Sequence, residues 1–380
     1  MGMSRVCPVC SFRLFGFSFF SFFFAFLLQS TTGRELRSVI AVFRHGDRSP
    51  ISTFPTNVVK EDAWTQGYGQ LTKLGMQQQY ELGQFIKKRY GHLLSDEYKH
   101  HEVYVQSTDY DRTIMSAQAN LAGLFPPRGR QIWNPKLLWQ PVPVHTRPLS
   151  DETLLLYPTR DCKRFLLLLK ETMGTKQVQA ELQSYMKFLN RMASNMGYDI
   201  KTLLDFTNQK LWNAYDALLV QKIHKLPVPY WAGAHAMARL QKLLAYAVNG
   251  MFGIHKREEK ARMQGGVLVK AILEKFLNVT KLNRKIKLTM FSAHDMTLVA
   301  LQVALDVFNL QLPPYAACHF FELYKEVGGE HTIEMYYRNS STVDPHPLIL
   351  PGCSHACPLK KFEDLVAPVL AHNAEESCNM

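Results

Sequence analysis

The sequence predicts an α/β fold: a mixed, largely parallel sheet with flanking helices, plus a smaller helical domain inserted into it. Two observations predict it. Short apolar, β-branched runs alternate with segments of helical spacing near both ends of the chain. The middle is rich in Leu and Met at helical spacing and has few strand-like runs. At 380 residues, 47% hydrophobic and 20% charged, the chain has the size and composition of a globular protein with a sizeable core.

The first 33 residues stand apart. Arg5 and Arg13 precede an apolar run from Leu14 to Leu28, followed by Ser30, Thr31, Thr32 and Gly33. A basic start, an apolar centre too short to span a bilayer and a small-residue exit are the layout of a secretory signal. The tail from Pro368 to Met380 is polar, so no C-terminal membrane anchor is expected in the mature chain.

Val39 to Phe43 is a continuous apolar run, the pattern of a strand covered on both faces. Leu71 to Leu94 carries Leu74, Leu82, Phe85, Ile86, Tyr90 and Leu93 at helical spacing, with Lys87, Lys88 and Arg89 as a basic outer face. The order repeats: 102–106 reads as a strand and 111–124 as a helix, entered through Ser107, Thr108 and Asp109. A third copy comes late, with a strand over 286–291 and a helix over 296–308 apolar enough to be buried. Between copies two and three, residues 149–261 read as a helical domain. The α/β domain is therefore expected in two parts, 34–148 and 262–380. Phe320 to Tyr324 and Thr332 to Arg338 alternate around Gly328-Gly329, which predicts an antiparallel hairpin at the sheet edge.

The formal charge of +12 raises the question of nucleic acid. The basic residues are scattered, however, and no zinc-finger, bZIP or RNP-like pattern occurs, so no nucleic-acid partner is expected. KLNRKIK at 281–287 reads as a solvated loop leading into a strand. Once Cys7 and Cys10 leave with the signal, Cys162, Cys318, Cys353, Cys357 and Cys378 remain, an odd number. CSHAC at 353–357 could be a metal site, but no second ligand pair accompanies it, and in an oxidising compartment a disulfide is favoured. Asn278-Val-Thr and Asn339-Ser-Ser are sequons that fit the secretory route.

The charged residues that matter fall just after the three strands. Arg44, His45 and Arg48 follow the first, Arg112 the second, and His294 and Asp295 the third. Ligands of open α/β sheets bind outside the carboxyl ends of the strands, so the three regions are expected to converge. Guanidinium forks match phosphate oxygens in charge and geometry, and helix N-termini at the same rim add donors. A neutral imidazole among positive charges keeps a low pKa and can attack phosphorus in mild acid. A neighbouring carboxyl such as Asp295 can protonate the departing alkoxide.

These residues carry a resemblance. RHGDRSP at 44–50, STDYDRT at 107–113 and SAHD at 292–295 resemble the histidine acid phosphatases, in particular the animal prostatic and lysosomal acid phosphatases. QGYGQLTKLG, LAGLFPP, WQPVPVHT, EKARMQGGVLV, LPPYAACH, EMYYRN and LPGCSHACPL extend the likeness over essentially the whole mature chain. The resemblance implies a phosphoglycerate mutase-like α/β domain with a smaller helical one. It implies hydrolysis of small phosphate monoesters, phosphoproteins included, without a metal or other cofactor. His45 would be the phosphorylated nucleophile, Asp295 the proton donor, and Arg44, Arg48, Arg112 and His294 the phosphate ligands. It further implies Cys162–Cys378 and Cys353–Cys357 disulfides, a homodimer, and a secreted or lysosomal destination.

The chain departs from its relatives in three places. Gln106 stands where they have arginine, Met296 replaces a small polar residue, and Val220 replaces a cysteine, which leaves Cys318 without its partner as a free buried thiol. Trp212 is either a wall of the outer pocket or a core aromatic. Asp109-Tyr-Asp111-Arg-Thr113 matches the DxDxT of Mg²⁺-dependent aspartyl phosphatases, but no later acidic pair completes a hard-cation site. A mutase is disfavoured by the His-Asp pair and the signal. A secreted phosphate-ester-binding protein with little turnover, or an enzyme specialised for phosphotyrosine, a nucleotide monophosphate or a lysophospholipid, are the remaining alternatives. Lys99-His100-His101 reads as a solvated loop, and His145, His224, His235 and His255, like Asp47, receive no role.

Overall fold

A computed structural model describes residues 33–156, 162–205, 208–282, 285–370 and 378. The N-terminal basic and apolar segment lies outside the described residues. In chain order the main elements are β1 (Glu35–Arg44), α1 (Lys73–Tyr90), β2 (Val103–Ser107), α2 (Asp111–Leu124), α3 (Lys163–Met173), α4 (Lys176–Met196), α5 (Ile200–Leu204), α6 (Lys210–Ile223), α7 (Ala234–Phe252), α8 (Arg257–Arg262), α9 (Gly265–Leu282), β3 (Leu288–Ala293), α10 (Asp295–Ala304), β4 (Cys318–Lys325), β5 (His331–Arg338), β6 (His346–Leu348), β7 (Cys357–Pro358) and α11 (Leu359–Val366).

The sheet runs β2-β3-β1-β4-β5-β6, with β7 also on β5. β1 and β2 both pair parallel with β3, and β4 pairs antiparallel with β1. Side chains alternate across β1, as a strand requires. Val39, Ala41 and Phe43 face a core shared with α1 and α2, whereas Ile40 and Val42 face one shared with α9, α10 and α11. Both faces are therefore covered, which is why 39–43 is apolar without a break.

The β4–β5 hairpin forms, but inside the sheet and not at its edge. β4 lies between β1 and β5, and β5 carries β6 and β7. Its alternating pattern misleads because its polar positions, Glu322 and Glu334 among them, are buried and paired, not turned to solvent. The basic face of α1 needs the same correction. Arg89 donates to the buried Glu322 carboxylate from Nε at 2.9 Å and Nη2 at 2.8 Å, so it bonds to the sheet.

Helices α1 and α2 pack backbone to backbone. A Cβ on Gly83 would lie 1.9 Å from the Asn120 carbonyl oxygen, and one on Gly123 would lie 2.2 Å from that of Tyr80. Helices α4, α6 and α7 share a separate core, with Phe188, Leu189, Met192, Leu218 and Leu240 among its residues. Phe54, from the segment after β1, is buried in that core. Cys162 is bonded to Cys378 and Cys353 to Cys357, while Cys318 is a free, buried thiol.

Because neither helix can retreat without opening the sheet face, Gly83→Ala should destabilise the fold by about 1–3 kcal/mol, the usual range for overpacking. Urea unfolding monitored by circular dichroism measures this, and an unchanged midpoint would contradict the close approach.

Candidate active site

The parallel strands end level with one another. Arg44 pairs with Ala293 and Ser107 with Ser292, so the residues after β1, β2 and β3 emerge side by side. His45 N–H donates to the Ala293 carbonyl at 2.9 Å, and the His45 carbonyl accepts from Ala316 N–H at 3.1 Å. The turn is pressed against the first turn of α1, where a Cβ on Gly46 would stand 2.3 Å from the Gly75 oxygen. Glycine in RHG is thus a steric requirement. Gln79 of α1 donates to the Arg44 carbonyl at 2.8 Å, and Ser116 of α2 accepts from Gly46 N–H at 3.0 Å.

All six residues expected from the strand ends are brought together. The buried His45 ring has Nδ1 2.8 Å from the Gly46 carbonyl oxygen. A carbonyl only accepts, so Nδ1 carries the proton and Nε2 keeps its lone pair. The His294 ring lies 5.6 Å away, near perpendicular. His294 accepts at Nδ1 from Arg112 Nη2, 3.4 Å distant, and donates from Nε2 to Thr108 Oγ1 at 3.0 Å. Thr108 passes its own proton to Thr113 Oγ1 at 2.9 Å, and Thr113 donates to the Tyr110 carbonyl at 2.8 Å.

Arg44 donates to Asp295 Oδ2 at 2.9 Å and to the Pro313 carbonyl at 2.7 Å, with its guanidinium 4.1 Å from the Tyr315 ring centre. Arg48 pairs with Asp216 of α6 at 2.8 Å. Arg112 lies 4.6 Å over Tyr110. The Nε atoms of Arg44, Arg48 and Arg112 are all buried, and none has a hydrogen-bond partner among the described residues.

The charges set the protonation states. Burial, then Arg44, Arg48 and Arg112, hold His45 well below the usual imidazole range. Burial and Arg112 push His294 down to about 3. Burial alone would raise the Asp295 carboxyl, but Arg44 and Arg48 outweigh it and the net shift is downward. Among the described residues no carboxylate pairs with Arg112. Burial and the Arg48 charge lower it to about 10. For Arg48, burial is overcome by Asp216, which raises it. In mild acid both histidines are therefore neutral and Asp295 is ionised while no anion is bound.

Sequence reasoning missed the partners of these groups. Asp216, Tyr315 and Thr108 lie far along the chain from the residues they hold. Asp216 had one signal: it is the lone charged residue between Leu211 and Leu218 of a mostly apolar helix stretch. Asp47 is fully buried and accepts from His224 Nε2 at 2.6 Å and Thr72 Oγ1 at 2.5 Å.

The departures from the family pattern sit at the edges. Gln106 is buried, its Oε1 accepting from Tyr104. Met296 packs with Trp212 and Met251, and all three line an apolar cavity of about 210 Å³ beside α10. Asp109 and Asp111 are exposed, and no cluster of three or more His, Cys, Asp or Glu among the described residues is arranged to hold a metal ion.

Residues 35–338 match the family model described as histidine phosphatase superfamily (branch 2). Prostatic acid phosphatase of Mus musculus is 49% identical over 352 residues, covering 92% of this chain and 91% of the relative. Lysosomal acid phosphatase of Homo sapiens is 46% identical over 354 residues, covering 93% and 82%. In fold, the chain superposes on Hafnia alvei phytase in complex with tartrate with a TM-score of 0.69 at 17% identity, over 91% of this chain and 98% of that one. With the strand-end cradle in place and relatives this similar named acid phosphatases, the chain belongs to branch 2 of the histidine phosphatase superfamily and is an acid phosphatase.

Proposed function

We propose that this acid phosphatase hydrolyses phosphate monoesters through a phosphohistidine on His45, with Asp295 as proton donor. The observation that carries the reading is the set of buried, unpartnered guanidinium donors on Arg44, Arg48 and Arg112 around a histidine whose Nε2 is unprotonated. Buried N–H groups without partners are costly, and a phosphate dianion supplies the missing acceptors.

In the proposed sequence the three arginines and His294 hold the equatorial oxygens. For His294 Nδ1 to donate, the ring must take up a proton or change tautomer, and a bound dianion favours protonation by offsetting Arg112. His45 Nε2 then forms a bond to phosphorus as the ester P–O bond breaks. The dianion draws Arg44 from Asp295 and raises the carboxyl pKa, so Asp295 binds a proton and delivers it to the leaving oxygen. Water next attacks phosphorus, Asp295 takes its proton, the N–P bond breaks and inorganic phosphate leaves. Since the His45 pKa is lowered, its free base persists as pH falls. That is the required sign for an acid enzyme.

The finer assignments belong to the same proposal. Residues 149–261 form an inserted domain that selects the leaving group, phosphoproteins being among the candidate substrates. The signal segment directs the chain to secretion or the lysosome. Asn339, exposed after β5, is the more accessible sequon, whereas Asn278 is part-buried on α9. The exposed apolar residues Ile132, Trp133, Leu137, Leu138 and Trp139 in one short segment support a homodimer through that face. A phosphate-binding protein without turnover is the reading the first experiment separates.

His45→Ala should reduce p-nitrophenyl phosphate hydrolysis by at least about 10³-fold and abolish the acid-labile phosphoenzyme trapped by rapid acid quench. A substantial residual rate would remove His45 from the nucleophile's role. Asp295→Asn should slow alkyl phosphates about tenfold more than p-nitrophenyl phosphate, whose leaving group needs little protonation. Equal losses on the two substrates count against Asp295 as donor. Leu138→Asp with Trp133→Asp should convert a dimer to monomer by light scattering while hydrolysis persists; an unchanged mass would place the interface elsewhere.

A further inference from the structure

Asp47 lies between the proposed nucleophile and Arg48, yet no step above uses it. Its carboxylate is wholly buried, and a buried charge needs compensation. Thr72 Oγ1 accepts from Gly75 N–H at the start of α1, so its single proton goes to Asp47 Oδ2. The second donor is His224, at the carboxyl end of α6, whose Nε2 is 2.6 Å from the same oxygen. The His224 side chain is 24% exposed and its ring stands edge-on to Trp64. Asp47 Oδ1 has no hydrogen-bond partner among the described residues.

Helix α6 thus grips the turn twice. Asp216 holds Arg48, and two turns further on His224 holds Asp47. We propose that His224 is a proton-sensitive positioning residue of the phosphate cradle, which neutralises Asp47 in acid and so sets the cradle's affinity for dianions. The inference rests on the phosphate-cradle reading above.

Charge counting shows why the proton matters. Arg44 pairs with Asp295 and Arg48 with Asp216, whereas Asp47, next to Arg48 in the turn, pairs with His224. Arriving phosphate displaces or protonates Asp295, and Asp216 is committed to Arg48. Asp47 is the buried carboxylate within the cradle turn itself, and a neutral His224 donates to it without cancelling its charge. Protonated, the same ring makes the pair neutral overall while keeping its hydrogen bond.

The charged and titratable groups around the pair do not substitute for it. In the turn stand Arg48 and His45; on α6 are Asp216 and the exposed Lys222. Lys225 follows His224, Lys73 follows Thr72, and Glu61 and Asp62 precede Trp64. Tyr315, close enough to feel Asp47, is raised by burial, and His45 and His294 are lowered. Of the side-chain types in this neighbourhood, imidazole is the one whose ordinary protonation falls between about pH 5 and 7.5.

Inorganic sulfate is the probe, because its charge is constant across that range. Its affinity is read as competitive inhibition of p-nitrophenyl phosphate hydrolysis and, independently, by titration calorimetry on the full chain from pH 5 to 7.5. The wild type should bind sulfate about five- to tenfold more weakly as pH rises through the window, the effect of one unit charge acting through protein. His224→Gln, which keeps an N–H donor for Asp47, should flatten the profile at the weak level. Asp47→Asn should flatten it at the tight level. A wild-type step that survives in His224→Gln, or a wild type with no step, overturns the inference. An active wild type with no sulfate affinity by either method removes the cradle it rests on. An inactive wild type whose step vanishes in His224→Gln would support the inference and count against the hydrolase reading alone.

Discussion

Packing three guanidinium groups around one imidazole, Arg44 and Arg48 buried and Arg112 part-buried, is the constraint on which the rest depends. Each charge taken out of water must be compensated or it is lost. The structure meets this unevenly. Arg44 and Arg48 each have a carboxylate, Asp295 and Asp216, while among the described residues Arg112 meets the Tyr110 face and His294, and burial with the Arg48 charge lowers its pKa. The arrangement is satisfied enough to fold and leaves three Nε donors unanswered. An anion-binding site has this character: the protein supplies the geometry and the ligand supplies the last acceptors.

The backbone beneath the cradle explains why the fold is so tightly specified nearby. The level ends of β1, β2 and β3 set the three donor regions abreast, and a one-residue slip in register would turn every side chain to the other face. The Gly46–Gly75 contact and the Gly83 and Gly123 approaches remove the room in which α1 and α2 could shift. A turn pinned between strand ends and the first turn of α1 suits a site whose groups must meet one tetrahedral anion.

The sequence was most legible where the signal is contiguous. The strand-then-helix pairs are visible because both faces of β1 are covered and because α2 starts at Asp111, directly after its strand-end residues. The six strand-end residues stand out by position for the same reason, but their separate roles came from the family resemblance and not from spacing. What stayed hidden are the partners: Asp216, Tyr315 and Thr72 meet their targets only through tertiary packing, and no spacing rule connects Asp216 to Arg48 across 168 positions. The interior position of the β4–β5 hairpin was hidden too, since buried glutamates paired within the fold look, in sequence, like the solvent face of an edge strand.

Asp47 shows how the two kinds of information combine. In the sequence it is a charged residue among charged residues and receives no role. Its burial turns it into an electrostatic liability beside a site that must attract a dianion, and its contact with the His224 imidazole is the relief proposed above. Neutral or protonated, His224 makes the same hydrogen bond, so the turn keeps its shape while its net charge changes by one. The proposed nucleophile works on the opposite principle: burial and the arginines hold its pKa well below the usual imidazole range. A site that needs one histidine always neutral and another free to titrate must place the first deep among arginines and the second at the rim. His45 at 2% exposure and a His224 side chain at 24% are placed in that way.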